Sequence, residues 1–312
     1  MTEEPITPLI PEELPPGHRS GFVAIVGKPN VGKSTLVNAW LGVKLAPVSP
    51  KPQTTRNRLL GILTREDAQV IFVDTPGIHL PRTPLGEYMV SEARRAVPDA
   101  DIVLMMVDLA TEPDRADEEV AHLIQSVPHI PAILAMNKAD LLSAAERAAR
   151  EAAYRALGQF DAEFTISALT GLNVAALLDY LIQTLPEGPR FYPPDQLTDQ
   201  TERFIAGEMI REAALHFLEQ EVPHSLAVLV QEFQERPDGL LYIAADIYTE
   251  RESQKGIVIG RGGAMLKKIG TRAREALEAF FGCKVYLELW VKVRKNWRRD
   301  PKMLRQLGYT ER

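Results

Sequence analysis

Short, continuous apolar runs separated by amphipathic stretches make up most of the first 185 residues. Phe22-Val-Ala-Ile-Val26, Val70-Ile-Phe-Val73, Ala132-Ile-Leu-Ala-Met136 and Phe164-Thr-Ile166 are unbroken rather than alternating. Runs of that kind suit strands covered on both faces, as in a parallel sheet. Between them, residues 35–41, 144–157 and 174–185 carry helical periodicity. The alternation predicts a doubly wound α/β domain over 21–185, with its ligand outside the carboxyl ends of the strands. Met105, Met106 and Met136 lie inside strand runs and are expected in the core.

The pattern then breaks. Pro186-Glu-Gly-Pro-Arg-Phe-Tyr-Pro-Pro194 places four prolines in nine residues, which can continue neither a helix nor a central strand, so 186–200 are expected as a linker. From 201 the expected elements are a helix over 202–219, a strand over 226–235, a turn at Pro237-Asp-Gly239 and a strand over 240–248. Two helices around a glycine loop and a strand over 284–292 complete them. This predicts a smaller α+β domain over 201–312. Residues 1–20 hold five prolines and little to bury, and are expected as a flexible arm.

Composition adds limits. With 312 residues, 45% of them hydrophobic and 25% charged, the chain has ordinary soluble composition and room for two domains. No apolar run reaches the roughly 18–20 residues that span a bilayer, and the N-terminus lacks a basic start before an apolar core. A cytoplasmic location is expected. Cys283 is the single cysteine, which leaves no internal disulfide or cysteine-built zinc site, and it is expected as a small packed side chain near a strand start. The net charge of −6 conceals a segregation: residues 251–312 hold 16 Lys or Arg against 6 Asp or Glu, and the rest holds 20 against 36. A basic end on an acidic body points to a polyanion, nucleic acid before an anionic membrane surface, with a solvated charged face as the bland alternative.

The chemistry lies at the strand tips. Gly27-Lys28-Pro29-Asn30-Val31-Gly32-Lys33-Ser34, followed by Thr35, is a complete G-x-x-x-x-G-K-[ST] loop between a strand and a helix. Its glycines let successive N–H groups turn onto phosphates, Lys33 can reach the β and γ oxygens, and the Ser34 hydroxyl is placed for Mg²⁺. After the second run comes Asp74-Thr75-Pro76-Gly77, where the Asp can hold Mg²⁺ through water and the Gly can offer its N–H to a γ-phosphate. After the third comes Asn137-Lys138-Ala139-Asp140. The Asp140 carboxylate can accept paired hydrogen bonds from guanine, which adenine cannot supply. Ser167-Ala168 ends the fourth run, where a backbone N–H could meet the guanine O6. Alone, each of these segments is a turn or a helix start. Four of them in order at strand tips read as one guanine-nucleotide pocket.

In the second domain, Ile257-Val-Ile259-Gly260-Arg261-Gly262-Gly263 is a G-x-x-G loop ahead of Ala264-Met-Leu-Lys267-Lys268-Ile269. Ile259, the loop, Lys267 and Lys268 are candidate RNA contacts, because the glycines admit a phosphodiester backbone and the cations lie beside it. A tight turn before a helix is the bland reading. The tail supplies Arg294, Lys295 and Arg298 as further contacts. Trp297 is either a stacking platform or a core anchor.

Together these motifs resemble the Era family of bacterial GTPases with a C-terminal KH domain, over essentially everything from Gly21 onward. The resemblance implies a P-loop GTPase fold followed by a type II KH domain. Pro52-Gln53-Thr54-Thr55-Arg56-Asn57-Arg58 is similar to the family's first switch. It implies that Thr55, rather than Thr54, closes on Mg²⁺ and the γ-phosphate, and Asn30 matches a loop asparagine that helps hold K⁺ in related GTPases. Lys33, Thr55 and Gly77 would then form the catalytic set. Implied partners are GTP and GDP, the 3′ end of 16S ribosomal RNA and the 30S subunit, with peripheral contact to anionic membrane allowed and a monomer expected. Arg56 and Arg58 are candidate charge stabilisers, or else solvated loop residues. Ile78 stands where Ras-like switches carry a water-orienting glutamine, so slow intrinsic hydrolysis is expected with no general base among the motif residues. Two classes stay open: a switch enzyme whose GTP state orders 44–58 and 75–90, and an RNA-binding assembly factor that holds GTP as a structural ligand.

Overall fold

The structure is a computed structural model, and it describes residues 14–51, 53–81 and 83–309. The chain forms two compact units. The first comprises Met1–Gly42, Arg58–Thr75 and Arg94–Asp199; the second comprises Val43–Asn57, Pro76–Ala93 and Gln200–Arg312. The P-loop strand and helix therefore belong to the first unit, while Thr55, Gly77 and Ile78 belong to the second.

The first unit is built on β1 (Arg19–Val26), β2 (Leu59–Thr64), β3 (Ala68–Asp74), β4 (Ile102–Asp108), β5 (Ala132–Asn137) and β6 (Ala162–Thr165). They form one sheet in the order β2-β3-β1-β4-β5-β6, parallel except where β2 pairs antiparallel with β3. Every residue of β3, β4 and β5 is buried, at both parities, so the sheet is covered on both faces as the unbroken runs predict. On one face Val23, Ile25, Phe72, Leu104 and Ile133 pack against Leu36 and Trp40 of α1 (Lys33–Leu41) and Leu177 and Leu181 of α5 (Val174–Thr184). Helices α3 (Arg115–Gln125) and α4 (Ala144–Arg155) complete the unit, each starting on a side-chain capping box, from Asp114 and Ser143. Met105, Met106 and Met136 are core residues, as expected.

Two parts of this unit differ from the sequence reading for the same reason. Strand β1 begins at Arg19 rather than Phe22, inside the segment read as an arm. The segment read as a linker holds it there: His18 Nδ1 lies 2.7 Å from the Gly188 carbonyl, and the Ser20 hydroxyl donates to the Pro189 carbonyl at 2.5 Å. Further along, Gln69 accepts from the N–H groups of Phe191 and Tyr192 and donates to the Tyr192 carbonyl at 2.8 Å. Prolines stop the segment forming regular structure, but side chains of strands β1 and β3 satisfy its backbone. The remainder of the expected arm, residues 1–13, lies outside the described residues.

The second unit contains α6 (Glu202–Phe217), β7 (Ala227–Glu235), β8 (Leu241–Thr249), α7 (Glu252–Ile259), α8 (Ala264–Phe281) and β9 (Val285–Val293), followed by a short α9 (Pro301–Gln306). Its sheet runs β7-β8-β9, with β7 antiparallel and β9 parallel to β8. That is the expected α-β-β-α-α-β order. Cys283 is half-buried two residues before β9. Helix α2 (Pro84–Arg95) lends Leu85 and Met89 to a cluster with Tyr248, Trp297, Leu304 and Tyr309.

Trp297 is fully buried and its indole N–H donates to the Ser225 carbonyl at 2.8 Å, so it is a core anchor and not a stacking platform. Trp290, by contrast, is 63% exposed on β9. Trp297→Ala is expected to cost about 3–5 kcal/mol in urea unfolding, whereas Trp290→Ala should stay within about 0.5 kcal/mol. Equal costs for the two would show that the tail is not packed as described.

Candidate functional site

The first unit brings the P-loop, Asp74, Asn137, Lys138, Asp140 and Ser167-Ala168 to the carboxyl ends of its strands. The P-loop has little freedom. A Cβ at Gly27 would lie 2.2 Å from the Met106 carbonyl oxygen, and one at Gly32 would lie 2.4 Å from Asn137 Nδ2. Both glycines, and exposed Asn30 between them, have positive φ, so the turn needs residues that tolerate the left-handed region. Asn137 ties two loops together. Its amide donates to the Val31 carbonyl at 2.8 Å and its Oδ1 accepts from the Ala168 N–H at 2.9 Å. A guanine O6 would compete with Asn137 for that N–H, and the Ser167 N–H is already given to the Leu172 carbonyl. Lys138 pairs with Asp108, and Asp140 is exposed at the start of a short 3₁₀ turn.

The electrostatics centre on Lys33 and Asp74, both buried. Lys33 Nζ donates to the carbonyls of Gly27 at 3.1 Å and Lys28 at 3.0 Å. Burial lowers its pKa to about 8 against the opposing pull of Asp74. The Ser34 hydroxyl donates to Asp74 Oδ2 at 2.7 Å, while Asp74 Oδ1 is buried with no hydrogen-bond partner. Burial raises Asp74 to about 6, a shift that Ser34 and Lys33 reduce but do not cancel. An orphaned carboxylate oxygen beside a hydroxyl is a fitting ligand set for a hard divalent cation such as Mg²⁺. The neighbouring Thr75 hydroxyl is committed to the Ile25 carbonyl at 2.7 Å and fixes the strand end.

Lys28 has a part that the motif does not reveal. Its ammonium reaches Asp117 at 2.7 Å and Asp114 at 3.0 Å, joining the P-loop to the first turn of α3. Burial alone would lower its pKa, yet the two carboxylates outweigh it and the net shift is upward. The only sequence signal was the acidic start of that helix.

In the second unit, Gly260, Gly262 and Gly263 all have positive φ, and a Cβ at Gly260 would lie 2.8 Å from the Met265 nitrogen. The loop links α7 to α8 with Arg261, Lys267 and Lys268 exposed around it and Ile259 half-buried. Arg294 and Lys295 are exposed as well. Arg298 differs from the other tail candidates, since it pairs with Glu250 at 2.5 Å. Ile78 is buried. Arg56 is 1% exposed and held by carbonyls and aromatic rings of the second unit, which corrects the reading of it as a solvated loop residue; Arg58 is exposed. Pro52, the first residue of the switch-like segment, lies outside the described residues.

Comparison with known proteins follows the same division. A family model described as 50S ribosome-binding GTPase matches residues 22–138, and one described as KH domain matches 221–298. A crystal structure of Era in complex with MgGDPNP and nucleotides 1506–1542 of 16S ribosomal RNA is 40% identical, covering 94% of this chain and 100% of that one, with a TM-score of 0.90. An Aquifex aeolicus Era variant bound to GDP and AlF4⁻ is also 40% identical with the same coverage, and a TM-score of 0.89.

Asp74 gives the site a pH signature. The folded protein binds this proton more tightly than the unfolded chain, so Asp74 makes stability fall as pH rises from about 4 to about 6, and its full cost persists above that window. Asp74→Asn is therefore expected to raise the Tm of the nucleotide-free protein more at pH 7.5 than at pH 4.5, and to abolish any further rise caused by Mg²⁺ with GDP. Thermal melts in which the variant parallels the native protein at both pH values would remove Asp74 as a strained cation ligand.

Proposed function

We propose that this chain, which belongs to the Era family of GTPases with a C-terminal KH domain, is a slow GTP-hydrolysing switch that binds the 3′ region of 16S ribosomal RNA and acts in 30S subunit assembly. The observation that carries this reading is the pairing of two sites in one chain. One is a phosphate loop beside a buried Asp74 oxygen that has no hydrogen-bond partner; the other is an exposed basic G-x-x-G loop. The description of the first family model names the large subunit, but it covers only the first domain. The solved complex with RNA of the small subunit matches nearly the whole chain and is the better guide.

In this reading the backbone of residues 27–34 and Lys33 hold the phosphates of GTP, Asp140 accepts from the guanine edge, and Asn137 keeps the two loops in register. Ser34 and Asp74, with Thr55 joining them as the switch threonine, would hold Mg²⁺, which would supply positive charge against the developing charge of phosphoryl transfer. Gly77 offers its N–H to the γ-phosphate. With buried Ile78 in place of a glutamine, catalysis depends on positioning, and Asn30 would help hold a K⁺ ion that supplies further positive charge. RNA lies along Ile259, Gly260, Arg261, Gly262 and Gly263, with Lys267, Lys268, Arg294 and Lys295 on its phosphates. The same exposed cations would attract an anionic membrane surface, a secondary partner of a cytoplasmic monomer. Among the described residues no helix is long and apolar enough to cross a membrane.

A GTP state that orders 44–58 and 75–90 should change RNA affinity. An RNA carrying the 16S 3′ end is expected to bind about five-fold or more differently with GDPNP than with GDP, measured by fluorescence anisotropy. Identical affinities would favour an assembly factor that holds GTP as a structural ligand. For the cation, replacing Na⁺ with K⁺ is expected to raise GTP turnover in the native protein and to leave Asn30→Ala unchanged. Equal native rates in the two salts would eliminate K⁺ from the mechanism.

A further inference from the structure

The switch-like segment 43–57 and the segment 76–93 fall in the same compact unit as residues 200–312. Arg56 is the most buried charge in the first of them. Its Nη1 donates to the Leu226 carbonyl at 2.6 Å and lies 3.4 Å from the Tyr309 hydroxyl, and its Nη2 is 3.4 Å from the His224 carbonyl. The guanidinium carbon sits 5.6 Å from the Trp297 ring centroid and 5.8 Å from that of Tyr309. Each partner is a fixed carbonyl, a hydroxyl or an aromatic face, and Nε is buried with no hydrogen-bond partner. A cation buried this way is expensive, and apolar residues of similar volume would fill such a site without the cost.

Its neighbours point to what the cost maintains. The residue before it is Thr55. The Thr54 carbonyl accepts from buried Arg211, and Asn57 Oδ1 accepts from the Tyr88 hydroxyl at 2.9 Å. Tyr88 belongs to the second segment and its ring packs against that of Tyr309, 6.3 Å between centroids. Both segments therefore converge on one feature, the tail aromatics Trp297 and Tyr309.

We propose that Arg56 is a positioning residue which seats the first switch segment on the 297–309 tail, so that movement of Thr55 unseats the guanidinium and loosens the tail. Consecutive Cα atoms are held about 3.8 Å apart, so a large displacement of Thr55 pulls on the Arg56 backbone and, once the side chain is drawn out, on the guanidinium in its slot. A close-packed slot is occupied or vacated and does not stretch, which makes the response two-state. The inference rests on the reading that GTP reorders 44–58.

Hydrogen exchange on the full chain, with GDP and then with GDPNP, tests it. In the native protein the analogue is expected to change amide exchange over 27–35 and also over 297–309. In Arg56→Met the 27–35 response should remain and the 297–309 response should be lost, and Arg56→Lys, which keeps charge but not the planar fork, should lose most of it. Should Arg56→Met fail to fold, Tyr309→Leu removes one wall of the slot and is expected to weaken the same tail response. A native tail indifferent to nucleotide, or a tail that still responds in Arg56→Met, overturns the proposal. RNA affinity that ignores nucleotide while the tail responds counts against the switch function instead and leaves the role of Arg56 standing.

Discussion

Charge held away from water must find a partner or be neutralised, and where this protein accepts that cost decides its layout. The sheet of the first unit is covered on both faces, so its body admits no ionised group, and polar chemistry is confined to the strand ends. Asp74 is the last residue of β3, as deep as a carboxylate can sit while still facing the P-loop. One of its oxygens has Ser34 and the other has nothing. A site relaxed without ligand would have supplied a second donor. A cation bound beside that oxygen would offset the burial that raises the Asp74 pKa.

The second unit meets the same constraint with the opposite sign. Arg211 is fully buried, and although burial alone would lower its pKa, Glu208 turns the net shift upward. Arg56 has no such carboxylate bonded to it, and burial lowers its pKa, yet a guanidinium stays charged at any physiological pH. The difference matters for movement. An arginine that travels with its own acid on the same helix can remain in place through a rearrangement, whereas one held by carbonyls and rings of distant segments reports whether those segments are together.

The fold was legible in the chain because its signals are local. Unbroken apolar runs fix a two-sided sheet, and helical spacing fixes the covering helices, with ends displaced by a residue or two where caps decide. The guanine motifs were legible because strained glycines and a few polar groups at strand tips leave a sequence trace. What was hidden depends on distant pairings. No periodicity links His18 to Gly188, Gln69 to Tyr192 or Lys28 to Asp117, and all three are side-chain bonds across more than 80 residues. Arg56 looked like a loop cation because its acceptors, Leu226 and Tyr309, lie 170 and 253 residues away. Trp297 was ambiguous for the same reason: an aromatic among basic residues suits stacking on RNA, and only its burial distinguishes that from a core anchor.

Charge counting along the chain also overstated the tail. Of its basic residues, Arg298 is taken by Glu250 and Lys292 by Asp246, and Trp297 between them faces inward. Arg261, Lys267 and Lys268 stay exposed around the glycine loop and Arg294 and Lys295 at the end of β9, while Arg272, Arg274, Arg299, Lys302 and Arg305 are exposed elsewhere in the segment. Lys292 reaches down to the buried Asp246 carboxylate, which also accepts from Gln231 and Tyr248, so its charge is spent inside the fold. Pairing inside the tail thereby removes part of the positive charge that counting along the chain assigns to it. Gly260 lets the loop pass close to the Met265 backbone, and Gly262 and Gly263 leave open space beside the loop.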